Sequence, residues 1–378
     1  MNSYQILDIT VESEWFEQFL HLPWKIYGKK WKWVPPMIPI ERKLFDSSSK
    51  FLQHAQLQAF IVIDQDRNIV GRITACIDEL ANQKCSGKIG YFGFYESINN
   101  TIVSNLLITA VEEWLKARHV TTIKGPMNNN IWGSEYRFMV KGFETAPYFG
   151  EPRNPDYYPQ HFLNAGYQSD AIWRVWDLTK EDLQRLHNDA LKTANGFKGV
   201  GKAPALVEEV KYGDINMRLE EIFPYLMESF SENYEFTPIP LEEFRELVNQ
   251  LKFALMPGSF LIARDKNQVV MGFSFILQDI APLFIDIDKS KFKIARSLFE
   301  LLKSRVQKIR THRVILHTVT VRKKYRHTGT LFELAQLSSK KVIDAELNAV
   351  SGISTDNNDG YRKVGPADRE FSMYIKKI

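Results

Sequence analysis

The chain states one pattern twice, which limits it to a fold built from two copies of one sheet-and-helix unit. The first statement is Phe60-Ile61-Val62-Ile63, a polar turn at 64–68, then Ile69-Val70-Gly71. The second is Phe260-Leu261-Ile262-Ala263, a polar turn at 264–268, then Val269-Val270-Met271-Gly272. Apolar β-formers flanking a charged turn predict a hairpin in each. An aromatic, proline-rich entry precedes each: Trp33-Val34-Pro35-Pro36 and Phe236-Thr237-Pro238-Ile239-Pro240. Each is followed by a strand, an amphipathic helix, a short strand and an Asn-rich turn. The helical faces are Val103, Leu106, Leu107, Ala110, Val111 and Trp114 in one copy, and Leu331, Leu334, Ala335, Ser338, Val342 and Ala345 in the other. The same order over such a length predicts duplication of one domain.

At 378 residues the chain is long for a single core. The expected division is a first domain over 1–178, a linking helix and glycine-containing loop over 179–209, and a second domain over 210–378. Each is expected to be α/β, an α+β layer around a mixed sheet with few parallel crossovers. Phe371 to Ile375 is expected to close the second sheet. A net charge of +4 fits an anionic ligand, and the lack of a concentrated basic run argues against nucleic acid. Cys76 and Cys85 make no disulfide framework. No apolar run approaches the roughly 20 residues that cross a bilayer, and the first residues lack a signal-peptide pattern. A cytoplasmic location is expected; the oligomeric state stays open.

The copies differ where chemistry is expected. After its strand the second carries Tyr325-Arg326-His327-Thr328-Gly329-Thr330-Leu331, and the first has Glu96-Ser97-Ile98-Asn99-Asn100, acidic and without glycine. A strand, a basic turn with glycine and a helix start form an anion site. The first helical turn offers unpaired N–H groups and the positive end of the dipole. A diphosphate fits it, and one such ligand per chain is expected.

With Arg326-His327-Thr328-Gly329-Thr330-Leu331 between strand and helix, the second copy resembles the GNAT acyltransferase superfamily, and the whole chain resembles its tandem, two-domain members. That family carries Arg/Gln-x-x-Gly-x-Gly/Ala here; Arg326 and Gly329 match, and Leu331 departs from the small last residue. The resemblance implies that Val319 and Val321 pair with pantetheine amides and that residues 326–331 hold the pyrophosphate of acetyl-CoA or a longer acyl-CoA. It implies N-acyl transfer to a small-molecule or lipid amine. Asn357, Asn358 and Tyr361 resemble the family's later Asn and Tyr positions, the tyrosine acting as acid toward the leaving thiolate. Aminoacyl transfer from tRNA, as in Fem proteins, and a degenerate GNAT pair that only binds are the alternatives.

Other segments admit two readings each. Asn128, Trp132, Tyr136, Arg137, Tyr157 and Tyr158 either wall an acceptor pocket or pack a rigid, proline-fixed loop. His317 is a candidate base or a packed strand residue. Asp286 and Asp288 alternate with apolar residues, as weaker base candidates or as a solvated edge. The histidines and cysteines show no metal-ligand spacing, so no metal is expected. The lack of Gly-x-Ser-x-Gly gives a covalent serine mechanism no support.

Overall fold

The computed structural model describes residues 3–28, 32–83, 85, 87–132, 136–199, 205–285, 311–355, 361 and 363–378. The expected helix at 292–309, together with Asp286, Asp288, Asn357 and Asn358, lies outside them. The chain divides into two compact units. One comprises 1–173, 281–300 and 369–378; the other comprises 174–280 and 301–368.

The first unit holds a mixed sheet. Strands β1 (Gln5–Ile9), β2 (Ala55–Ile63), β3 (Ile69–Asp78) and β4 (Ile89–Ser97) run antiparallel in succession. The helix Thr101–Lys116 then returns the chain to β5 (Thr122–Gly125), which is parallel to β4. β6 (Phe138–Lys141) and β7 (Gln168–Val175) complete this part. Val103, Leu107, Ile108, Val111 and Leu115 of the helix are buried with Phe60, Val62, Ile73, Ala75, Ile77 and Phe92 of the sheet. The opposite face is covered by Phe16, Phe19 and Leu20 of the helix Phe16–Tyr27.

The second unit repeats the order. β8 (Asp177–Leu178) lies at one edge, and β9 (Leu206–Glu209), β10 (Leu261–Arg264), β11 (Val270–Gln278) and β12 (Arg313–Val321) form an antiparallel run. The helix Thr330–Asp344 leads to β13 (Asn348–Ser351), parallel to β12. β14 (Ser354–Thr355) is two residues long. The expected linker is the helix Lys180–Gly199 and the edge strand β9, both in this unit.

The hairpin turns repeat atom for atom. Asp64 N donates to Asn68 O, and Asp64 Oδ1 accepts from the N–H groups of Asp66 and Asn68. Asp265 N donates to Val269 O, and Asp265 Oδ1 accepts from Asn267 and Val269. Arg67 and Gln268 take the same left-handed conformation, at φ 59° and 64°. Aspartate favours such turns because its carboxylate satisfies the next backbone donors.

One expectation is corrected. The segment 371–375 does not close the second sheet. It belongs to β15 (Arg369–Lys377), which pairs antiparallel with β5 and β6 of the first sheet. The equivalent place beside β13 is taken by β8, the strand that directly follows the first repeat. Alternation of apolar residues reveals a strand but not its neighbour. Arg369 anchors the exchange: its Nε lies 2.7 Å from Glu151 Oε1 with both side chains at 0% exposure, and its Nη1 donates to Thr145 Oγ1.

Removing one partner of a buried pair leaves an uncompensated charge, at a cost of about 3–5 kcal/mol. Arg369→Ala is expected to cost that much in urea-induced unfolding of the full chain. An apolar double variant, Arg369→Met with Glu151→Leu, should recover part of it. Equal losses in both would count against the ion pair.

Candidate functional site

In both sheets the fourth strand is parallel to its neighbour for only three or four residues, and then the two part. In the second unit Arg313–Leu316 pair with Asn348–Ser351, and the last bond is Gly352 N to Leu316 O. A Cβ on Gly352 would lie 2.9 Å from Leu316 O and 3.0 Å from His317 O, so only glycine fits where the strands fork. The β11/β12 register shifts between Phe275 and Leu277, which places a bulge at 316–317 of β12. Beyond it Arg322 N donates to Met271 O. By strand alternation the backbone groups of Thr318 and Thr320 then face β11, whereas those of His317, Val319 and Val321 face the fork. None of these three has a backbone partner there among the described residues.

The helix beyond this strand begins without a cap. Gly329 is at the N-cap position with φ 88°, and no side chain there caps the helix. The N–H groups of Gly329, Thr330 and Leu331 have no protein acceptor among the described residues. Gly329 is required twice: its φ is left-handed, and a Cβ would lie 2.8 Å from that of Phe197. Arg326 is about half-exposed, and its Nη1 makes only a long contact of 3.4 Å with Glu232, which Lys323 also holds at 2.6 Å. Such an exposed pair is screened by solvent and contributes little, so Arg326 is free to turn toward an anion. Arg322 is committed elsewhere, 2.9 Å from Glu228 and over the Tyr225 ring. The Thr328 hydroxyl bonds Tyr325 O, Thr330 is buried, and His327 and Leu331 are exposed.

The first unit has the same fork, and its own side chains fill it. The Asn100 carboxamide caps the helix Thr101–Lys116, accepting from Ile102 N and Val103 N. Met127 N donates to Phe92 O, and Asn128 Oδ1 accepts from Phe94 N at 2.6 Å. At Ser97, the position equivalent to Val321, the Tyr158 hydroxyl accepts from the backbone N–H and the Tyr157 hydroxyl donates to the carbonyl, each at 2.8 Å. A Cβ on Gly93 would lie 2.1 Å from Met127 O, so only glycine fits there.

Of the pocket residues read from the sequence, Asn128, Tyr157 and Tyr158 are thus gathered in the first fork. Arg137 is buried between the rings of Tyr136 and Trp173. Trp132 is half-buried, its N–H donating to Asn130 Oδ1. In the second unit His317, Val319, Val321 and residues 326–331 share one strand, loop and helix start. The His317 ring stacks on Phe275 at 5.2 Å, with Nδ1 2.9 Å from Thr318 Oγ1. It is exposed, and partial desolvation by the neighbouring protein lowers its pKa. Tyr361 lies in another cluster, stacked on Trp176, where burial raises its pKa to about 12. Sequence reading missed the capping role of Asn100 and the bulges; an Asn directly before an amphipathic run was the available signal for the cap.

No protein-family model matches the chain. Among solved structures, a tandem GNAT protein from the clavulanic acid biosynthesis pathway superposes with a TM-score of 0.52 at 10% identity, over 99% of this chain and 98% of that one. The chain has a tandem GNAT fold. A GCN5-related glucosamine N-acetyltransferase region of a fungal multi-domain β-N-acetylglucosaminidase gives 0.53 at 14% identity, with this chain spanning 38% of that one. By sequence, the chain is 25% identical to Protein YghO of Escherichia coli over 389 positions, covering 100% of this chain and 97% of YghO. It is 28% identical to a bacterial ceramide synthase of Caulobacter vibrioides, over 62% of this chain and 60% of that protein. No helix among the described residues is long and apolar enough to cross a membrane, and no cluster of metal-ligating side chains occurs among them.

Glu96 makes the filled fork sensitive to pH. Its Oε2 accepts from the Tyr158 hydroxyl at 2.7 Å, and burial raises its pKa to about 7 against the opposing charge of Arg72. The folded state therefore keeps a proton that the unfolded chain releases near 4.5. This contribution to stability falls as pH rises from about 4.5 to 7 and is flat above, with a slope of at most about 1.4 kcal/mol per pH unit. Glu96→Gln should remove one proton's worth of slope in denaturation curves across that window. An unchanged slope would show that Glu96 ionises normally.

Proposed function

We propose that the chain transfers an acyl group from acyl-CoA to the nitrogen of an amine, with the second unit holding the thioester. The observation that carries this reading is the open fork of that unit, continuous with an uncapped helix start. An extended, amide-bearing arm fits against the fork-facing backbone of Val319 and Val321. A pyrophosphate fits the free N–H groups of Gly329–Leu331, with Arg326 as the mobile counter-charge. The exposed Leu331, where a smaller residue would admit closer approach, still leaves its N–H available.

The chemistry requires a neutral amine, a polarised carbonyl and a protonated leaving thiolate. A fork-facing N–H beside the bulge is suited to polarise the carbonyl. His317, exposed on β12 beside the bulge, is the candidate to take the amine proton once nitrogen has bonded to carbon and become acidic. Tyr361 and Asn357 are the candidates for the acid toward sulfur that the resemblance carries over, but Tyr361 stacks on Trp176 in another cluster and Asn357 lies outside the described residues, so neither is given that step and the thiolate takes its proton from solvent. The name of the Caulobacter relative supports a choice of acceptor. A ceramide is an N-acylated long-chain amino alcohol, so we infer a lipid amine and a long acyl chain.

Calorimetric titration of the full chain with CoA is expected to give one site. Arg326→Glu should weaken it roughly tenfold to a hundredfold, the worth of one or two contacts to a charged group. Asn100→Ala should leave it unchanged while costing about 1 kcal/mol of stability. Acyl-CoAs of graded length with sphinganine should yield the N-acyl product by mass spectrometry. Absence of CoA binding by the unsubstituted chain would favour a binding protein, and two sites would remove the asymmetry between the forks.

A further inference from the structure

The helix Lys180–Gly199 of the second unit has a face that its core does not take up. Ala190 and Ala194 are buried, and Leu183 packs in the core with Val314 and Val342. Asp189, Lys192, Thr193, Gly196 and Phe197 follow one another at steps of three and four and so share a side of the helix. With Lys363 they line a cavity of about 530 Å³, inside the range of about 300–1,000 Å³ usual for small-molecule sites. From Asp189 to Phe197 this side spans about 12 Å at the rise of an α-helix. A Cβ on Gly196 would meet nothing within 4 Å, so the space beside it is open.

The cavity adjoins the uncapped helix start of the second fork. The helices Lys180–Gly199 and Thr330–Asp344 pack antiparallel: His187 Nδ1 lies 3.1 Å from Ser339 Oγ, and the Phe197 ring lies 6.3 Å from that of Phe332. Phe197 thus stands against Gly329, where an added Cβ would lie 2.8 Å from that of the phenylalanine. A molecule whose anionic group rests on the N–H groups of Gly329–Leu331 can continue past Phe197 into the cavity.

The lining has a definite chemistry. Phe197 is half-buried and contributes an aromatic ring. Lys192 is exposed, with no ion-pair partner among the described residues. Lys363 lies 3.2 Å from Asp189, the side chains 72% and 47% exposed; solvent screens such a pair, so the ammonium is available to a stronger anion. Two lysines against one carboxylate leave the cavity positive. Asp189 and the Thr193 hydroxyl, which donates its own proton to Asp189 O, add hydrogen-bond acceptors. A ring, acceptors and surplus positive charge in one cavity suit a nucleoside that carries a phosphate.

We propose that this cavity holds the adenosine 3′-phosphate end of CoA, and that the protein thereby selects a nucleotide-bearing thioester over the same arm without its nucleotide. The inference rests on the acyl-CoA reading above. With the diphosphate at Gly329–Leu331, the purine lies against Phe197, its exocyclic amine and the ribose hydroxyl donate to Asp189 and Thr193, and Lys192 and Lys363 hold the 3′-phosphate. This end is remote from the reacting atoms, and its binding energy serves to place the thioester at the fork.

The test is calorimetric titration of the full chain with CoA, with dephospho-CoA, which lacks only the 3′-phosphate, and with phosphopantetheine, which lacks the nucleotide. CoA should bind roughly tenfold more tightly than dephospho-CoA, the worth of one contact to a charged group. Dephospho-CoA should in turn exceed phosphopantetheine by roughly tenfold, as one base on an aromatic ring would give. The double variant Lys192→Ala with Lys363→Ala changes only exposed side chains; it should bring CoA down to the affinity of dephospho-CoA and leave dephospho-CoA unchanged. Equal affinities for CoA and dephospho-CoA in the unsubstituted chain overturn the inference and leave the acyl-CoA reading standing, as does a preference that survives in the double variant. Phosphopantetheine binding as tightly as CoA overturns it as well, and points to a donor carried on a protein. Binding of none of the three removes the acyl-CoA reading and this inference with it.

Discussion

Two parallel strands that part leave backbone donors and acceptors without partners, and most of what is particular to this protein follows from how each fork meets that demand. A buried, unpaired backbone group costs about as much as a lost hydrogen bond, so a fork must be filled by the protein, by water or by a ligand. The first unit fills its fork with Asn128, Tyr157 and Tyr158 and caps its helix with Asn100. Among the described residues, the second leaves the backbone of Val319 and Val321 and the helix start at Gly329 open. One architecture thus gives a self-satisfied unit and an unsatisfied one. The order of the first five strands, a register shift between the third and fourth, and the turn chemistry recur in both.

Filling the first fork has consequences inside that unit. Tyr158, fully buried, bonds both Ser97 N and the buried Glu96, which lies in a low-dielectric site beside it. The neighbouring Glu41 and Arg72, 3.1 Å apart, supply one positive charge for two buried carboxylates. A single guanidinium cannot offset both, which is why burial wins and both acid pKa values rise. The residues that close the fork also commit the unit to holding a proton.

The repeat itself was legible in the sequence because hairpin turns and helix faces are local. Asp64 and Asp265 sit where a carboxylate can bond the following N–H groups, and Leu107 and Leu334 mark helical faces through their spacing. The anion-facing loop was legible for the same reason, being a strand, a glycine and a helix start in succession. The partner of β15 was not, because pairing is a long-range choice and the alternation in 369–377 suits either sheet. Nor were the places of Tyr157 and Tyr158. An aromatic pair after a proline reads the same whether the hydroxyls meet a ligand or, as here, the protein's own strand backbone.

The tyrosines of the first fork also offer a physical template for what the second can accept. Their hydroxyls supply Ser97 with one acceptor for its N–H and one donor for its carbonyl, delivered by two flat, largely apolar groups. A ligand replacing them at the equivalent Val321 needs the same alternation of donor and acceptor on a narrow apolar arm, and an amide-bearing chain has it. A bare hydrocarbon lacks donors, and a polyphosphate lacks both donors and apolar contact, so neither suits the strand. Only at Gly329, where N–H groups converge at a helix start, does the demand change to negative charge. A molecule meeting both demands in sequence has an amide arm ending in a diphosphate. This complementarity rests on the backbone of β12 and the helix beyond it, and it supports the proposed acyl-CoA donor without reference to an acceptor.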